Sequence, residues 1–237
     1  MREEFIYLPS ENIYYTKLKA LSEGAYANRD TENHKGEWRN LFVDRDPASA
    51  QQRKLHVELG CNGGHVALEW AERNPSDAYI GIDVKYKQVY KAFEKAQRRG
   101  IKNTLFLRAQ SERIDLMFAP QEIDFLYLYF PDPWAKKSQL KNRIVQPEWL
   151  IKCASVVKDG GIFHIKTDHA EYADWMRAQF QKVTGFWKVT EDKDDLHAGH
   201  PNPTSLRIPE VTLFERIFIK EGIKIHSFKL EKLTART

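Results

Sequence analysis

A chain of 237 residues, 42% hydrophobic and 30% charged, can build one large α/β core, and the mixture excludes fibrous and disordered classes. It has no 18-residue apolar run and opens on Met1-Arg2-Glu3-Glu4, so neither a membrane span nor a signal peptide is expected and the protein is placed in the cytoplasm. Cys61 and Cys153 are too few for a disulfide framework or a zinc site, and a formal charge of +4 admits an anionic partner without specifying one.

Residues 1–53 read as an N-terminal extension ahead of a single domain spanning 54–237. Ser10-Glu11-Asn12 starts a helix running to about Glu23, Gly24 to Lys35 is polar and turn-rich, and Asp46-Pro47-Ala48-Ser49 breaks the chain again. Trp38 and Phe42, four apart, are suited to pinning this extension onto the domain.

From Lys54 to Asp83 the pattern is strand, glycine turn, helix, strand. Leu55 to Leu59 alternates apolar with polar, Val66, Leu68, Trp70 and Ala71 mark a helix closing at Asn74-Pro75, and Ala78 to Asp83 forms the second strand. Such a βαβ unit predicts parallel strands joined by a right-handed crossover, hence a Rossmann-like α/β fold. Gly60, Gly63 and Gly64 would let a ligand approach backbone N–H groups, and Asp83 stands where an acid grips a ribose. Glu58 on the same turn would repel a pyrophosphate and favour an ammonium or sulfonium, a combination offered by S-adenosyl-L-methionine.

A helix from about Lys85 to Arg99 follows, with Val89, Ala92, Phe93 and Ala96 inward and Gly100 as its stop. Its outward row of Lys87, Lys91, Lys95 and Arg98 is interrupted by Glu94 and Gln97 and reads as a solvated face. Thr104 to Ala109 is a strand with Gln110-Ser111-Glu112 at its C-terminal end, where doubly wound folds place ligand contacts. Ile123 to Phe130 is apolar almost throughout, as a central parallel strand is. Pro131-Asp132-Pro133-Trp134 then holds a carboxylate and an indole rigidly, since each proline fixes its own φ and extends the residue before it. An aromatic can stack on a base and a carboxylate can accept from the edge of guanine, while Lys136, Lys137, Lys141 and Arg143 are placed to meet phosphates.

Beyond this point Pro147 to Val157 is a helix, Gly160-Gly161 a turn, Ile162 to Thr167 a strand delivering Asp168 to the edge that carries Asp132, and Glu171 to Val183 a helix. Phe186 to Glu191 is a strand and Asp192 to Glu210 a long loop whose His197 and His200 read as a solvent-exposed pair rather than a metal site. Thr212-Leu213-Phe214-Glu215 has the spacing of a capping box, with Gly222 ending the helix it would start, and Ile223 to Leu230 is the last strand.

The ordered set ELGCNGG (58–64), GID (81–83), PDPWAKK (131–137), KTD (166–168) and TLFER (212–216) resembles the bacterial tRNA (guanine-N7)-methyltransferases. That resemblance implies a class I methyltransferase fold: a mostly parallel seven-stranded sheet with helices on both faces and one antiparallel strand at its far side. It implies transfer of a methyl group from S-adenosyl-L-methionine to guanine N7 in the tRNA variable loop; the residues themselves point to no metal and no membrane, and leave monomer and homodimer both open. Glu58, Asp83 and Asp132 match cofactor contacts, to which the glycine turn adds Gly60 and Gly64. Asp132 also matches the catalytic position, and Lys136, Asp168, Thr212, Leu213, Phe214 and Glu215 match substrate-binding positions. Asn62 replaces a usual glycine and Gln110 a usual aspartate beside the adenine, where its amide can still accept and donate. Two other readings share the βαβ unit: a non-catalytic tRNA-binding subunit and a nicotinamide-dependent oxidoreductase.

Overall fold

The computed structural model describes residues 12–42, 53–199 and 211–234. The chain falls into two compact units, Met1–Ala119 and Pro120–Thr237. The residues expected to break the chain at 46–49 lie outside the described ones, as does His200.

In the first unit Asn12 caps helix α1 (Ile13–Lys19), its side chain accepting from the Tyr14 N–H, and strand β1 (Ala25–Ala27) follows. The βαβ pattern appears as β2 (Leu55–Leu59), α2 (His65–Arg73) and β3 (Ala78–Asp83), then α3 (Tyr86–Arg99), β4 (Thr104–Arg108) and the short α4 (Ile114–Met117). The strands lie in the order β1-β4-β3-β2, all parallel. β1 arises inside the stretch that reads as polar and turn-rich, because Ala25 and Ala27 alternate inward on only three residues, too few for a visible period. Trp38 is fully buried and its indole N–H donates to the Met117 carbonyl at 2.8 Å. Arg113, also fully buried, donates to the Asn28 carbonyl and pairs with Glu32, so residues 28–38 neutralise a charge that burial would otherwise make costly.

Close approach sets the glycine requirement. At Gly64, which begins α2 with φ +72°, a Cβ would lie 2.8 Å from the Ala92 Cβ of α3 and 3.0 Å from the Phe106 ring of β4. Gly60, φ +76°, has open space instead.

The second unit contains β5 (Ile123–Tyr129), α5 (Pro147–Val156), β6 (Val157–Thr167), α6 (Ala170–Phe180), β7 (Trp187–Lys193), α7 (Leu213–Lys220) and β8 (His226–Lys232). Their order is β5-β6-β8-β7, with β5 parallel to β6 and β8 antiparallel to both β6 and β7. The described residues thus hold eight strands rather than seven, the added one being β1. The single antiparallel strand is the last one, as expected, but it lies between β6 and β7 rather than at the margin. Burial explains the exchange: His226, Ser227, Phe228 and Leu230 are at most 5% exposed and need neighbours on both sides, whereas Lys188, Val189, Thr190 and Asp192 of β7 face solvent and suit an edge. Gly160 and Gly161 form no turn between elements but lie within β6, where the pairing register shifts against Ile123 and Phe125. A Cβ on Gly161 would stand 2.8 Å from the Lys158 carbonyl, which is why this bulge carries glycine.

Alanine at Gly60 should cost about 1–2 kcal/mol for its left-handed backbone alone. Alanine at Gly64 adds overpacking of about 1–3 kcal/mol, so its urea midpoint should fall clearly further; equal midpoints would contradict the packing assigned to α2, α3 and β4.

Candidate functional site

The first unit concentrates its polar chemistry at the C-terminal ends of β2, β3 and β4. Glu58 is buried, accepts from the Ala67 N–H in the first turn of α2, and leaves its Oε2 without a hydrogen-bond partner. Desolvation pushes its pKa up to about 8; the Ala67 N–H opposes this and Asp83 adds to it. Asp83 accepts from the Asn62 N–H at 2.9 Å and from the Lys85 N–H at 2.8 Å, and burial raises its pKa as well. Asn62 has φ +50°, so the residue standing in a glycine's place adopts the left-handed conformation that asparagine tolerates best after glycine. Ala109 N–H donates to the Asp83 carbonyl, which sets half-buried Gln110 beside Asp83. Lys95, which the sequence reading assigns to a solvated row, donates to the Gly63 carbonyl at 2.8 Å and to His65 at 3.2 Å and so braces the turn.

These residues fit S-adenosyl-L-methionine. A buried carboxylate oxygen lacking a donor is satisfied by an ammonium, Gly60 leaves room above the turn, and Asp83 and Gln110 supply acceptors along the strand ends.

In the second unit, Phe130 and Trp134 bracket Pro131-Asp132-Pro133 with φ of +54° and +42°. Two bulky residues in the left-handed region are strained, a state that persists only when the surroundings enforce it. Here the enforcement is visible: Phe130 N–H donates to the Lys166 carbonyl at 2.9 Å, and Arg143 Nε donates to the Pro133 carbonyl at 2.8 Å. Asp132 is exposed at the end of β5, and half-buried Asp168 follows the adjacent parallel β6. Arg143 departs from its expected place among phosphate-facing cations, because it is buried with its guanidinium over the Tyr172 and Trp175 rings at 4.8 and 5.2 Å. Lys136, Lys137 and Lys141 remain exposed.

The TLFE segment divides. Thr212 and Glu215 form the capping box of α7: the Glu215 N–H donates to the Thr212 hydroxyl at 3.0 Å and the Thr212 N–H to Glu215 Oε2 at 3.1 Å. The Glu215 carboxylate is fully buried, receives Lys166 Nζ at 3.2 Å and lies 2.6 Å from His197 Nε2. Neither Thr212 nor Glu215 therefore offers a free side chain to a nucleotide, and His197 is a buried-pair partner rather than a solvent-exposed histidine. Leu213 and Phe214 are half exposed, and Phe214 stacks on Phe218, which meets Phe130 at 5.4 Å between ring centroids. Sequence reasoning assigned no role to Lys166, whose signals were a charge inside an apolar strand and its place in KTD (166–168), and it assigned Arg143 to phosphates rather than to bracing the Asp132 segment.

Parallel strands wound by helices, with one antiparallel strand and two acids at a glycine turn, form the class I methyltransferase fold. The solved 16S rRNA methyltransferase KamB shares this fold with a TM-score of 0.59 at 18% identity, over 84% of this chain and 93% of that one. The antibiotic-resistance methyltransferase Kmr does so with a TM-score of 0.56 at 14% identity, over 80% and 92%. Residues 52–227 match the family model described as "Putative methyltransferase". A tRNA (guanine-N(7)-)-methyltransferase of Bdellovibrio bacteriovorus is 32% identical over 84% of this chain and 91% of its own, and one of Lachnoclostridium phytofermentans is 31% identical over 87% and 90%. The chain belongs to the tRNA (guanine-N7)-methyltransferase family.

Three outcomes follow from the buried charges. Between pH 4.5 and about 8 the folded protein retains a Glu58 proton that the unfolded chain has lost, so Glu58 makes stability fall as pH rises through that window, and Glu58→Gln should flatten this slope. An ammonium seated on Glu58 favours the carboxylate, so binding of S-adenosylhomocysteine at pH 7 should release a proton, measurable by calorimetry in buffers of different ionisation enthalpy. No release, or equal release in Glu58→Gln, would contradict the assignment. Lys166→Met leaves the Glu215 charge without its cation and should cost about 3–5 kcal/mol in urea unfolding; a loss below about 1 kcal/mol, the range of exposed pairs, would show that the pair is not buried in solution.

Proposed function

We propose that the chain transfers a methyl group from S-adenosyl-L-methionine to N7 of a guanine in the variable loop of tRNA. The observation that carries this reading is the strained and doubly braced bracket that holds exposed Asp132. Strain of this kind is maintained where a group must be aimed, and merely leaving a sheet requires none of it. The names of the Bdellovibrio bacteriovorus and Lachnoclostridium phytofermentans relatives supply the substrate.

When bound, S-adenosyl-L-methionine supplies a methyl group already activated by its positive sulfur. Glu58 takes the ammonium, Asp83 the ribose and Gln110 the adenine edge. Guanine N7 carries a free lone pair, so no general base is required, and the protein contributes orientation and electrostatics. Positive charge arrives on the guanine, and Asp132 stabilises it there. Asp168 and Lys136 hold the nucleotide, Leu213 and Phe214 provide an apolar surface on which a base stacks, and Thr212 and Glu215 act by positioning α7. A dinucleotide, as an oxidoreductase would bind, is disfavoured because its pyrophosphate would stand beside the Asp83 carboxylate and would oppose any ionisation of buried Glu58. Residues 54–237 act as the catalytic domain with 1–53 as an extension packed on it, working in the cytoplasm as a monomer or homodimer. No helix of the described residues is long and apolar enough to cross a membrane.

Asp132→Asn keeps the size of the side chain and removes its charge. Turnover on unmodified tRNA should drop by at least about a hundredfold, the scale on which removing one electrostatic group acts, with an unchanged urea midpoint. Near-parental turnover would remove Asp132 from the chemistry.

A further inference from the structure

Helix α3 is apolar inward and cationic outward. Val89, Ala92 and Ala96 are buried, while Lys87, Lys91 and Arg98 are exposed and make no ion pair among the described residues. Positions four and seven apart return to nearly the same side of a helix, so these three cations form one stripe. Exposed Lys17 of α1 lies 5.0 Å over the Tyr90 ring of α3 and adds a fourth charge beside them. Two other cations of α3 are already engaged: Lys95 holds the Gly63 carbonyl and Arg99 pairs with Glu72. Glu94, the only acid on α3, is exposed and pairs with neither Lys91 nor Arg98. Crowding by like charge is felt at Lys95, whose pKa is lowered first by burial and then by Lys91, Arg98 and Arg99.

We propose that Lys87, Lys91 and Arg98, with Lys17 beside them, form a second RNA contact that takes backbone phosphates of the tRNA body, apart from the residues that hold the methylated nucleotide. The proposal rests on the tRNA reading above. A solvated helix face ordinarily balances its signs so that pairs form three and four residues apart, whereas this face sets three cations against one acid, Glu94, which pairs with none of them among the described residues. A lipid surface fits less well, because an interfacial helix needs an apolar face to insert and that of α3 is spent in the core. RNA phosphates need only cations in a row, and each contact they form releases counterions.

The test is the salt dependence of tRNA binding by Lys87→Gln/Lys91→Gln/Arg98→Gln in the full chain, measured by filter binding beside the methyl-transfer rate. Each lost phosphate contact removes about 0.7–0.9 from the slope of log affinity against log salt, so the variant should lose about 2–3. Its KM for tRNA should rise at least tenfold while kcat and the calorimetric affinity for S-adenosylhomocysteine stay at parental values. The charge-keeping variant Lys87→Arg/Lys91→Arg/Arg98→Lys should retain the parental slope. An unchanged slope in the glutamine variant, with the parent methylating tRNA normally, overturns the proposal and returns α3 to a solvated face. A parent that fails to methylate guanine N7, together with a reduced slope in the variant, overturns the proposed reaction and supports the RNA contact.

Discussion

The ammonium of Lys166, sealed at 1% exposure against the Glu215 carboxylate, ties three parts of the second unit together. Its strand delivers Asp168, its carbonyl holds Phe130 and hence the start of the Asp132 bracket, and its partner Glu215 closes the capping box of α7 and meets His197. A buried pair of this kind gains little over a well-packed apolar pair, since desolvation consumes most of the Coulombic attraction. Its value is geometric. Both charges must be satisfied at once, so strand end, helix start and loop are held in one arrangement, and Asp132, Asp168, Leu213 and Phe214 are presented from rigid elements.

The first unit uses desolvation differently. Glu58 is buried with one oxygen left without a donor, a costly condition that is relieved when a cation arrives. The turn around it is kept open by Gly60, closed onto α3 by Gly64 and braced by Lys95. In the proposed site, binding energy and selectivity share one origin, because an ammonium draws the proton off Glu58 and pairs with the carboxylate, whereas an anion would gain nothing there and would stand beside Asp83. Asn62 extends the same economy: in the left-handed conformation it presents its N–H to Asp83 as a glycine would.

Much of this was legible in the residue order. Periodicity located β2, α2, β3, α3, β4, β5 and α5 closely, because long regular elements bury a face and therefore show it. Gly64 and Gly100 were readable for the same reason, each sitting where a helix begins or ends in the left-handed region. What could not be read depended on distant partners. β1 is too short to show a period, and the insertion of β8 between β6 and β7 follows from burial on both sides, which alternation along one strand does not reveal. Arg143 looked like a member of a lysine cluster, yet Tyr172 and Trp175 lie about thirty positions away and draw it inward. In the TLFE segment both alternatives were visible, and only the partner Lys166, which the chain places far upstream, assigns Glu215 to structure and leaves Leu213 and Phe214 facing outward.

The central claim is a reaction at one atom. Purified protein should be incubated with unmodified tRNA and S-adenosyl-L-methionine, and the product digested and mapped by mass spectrometry. The account predicts 7-methylguanosine confined to the variable loop. Methylation at another atom or base, or no methylation by folded protein that binds both tRNA and S-adenosylhomocysteine, would contradict it.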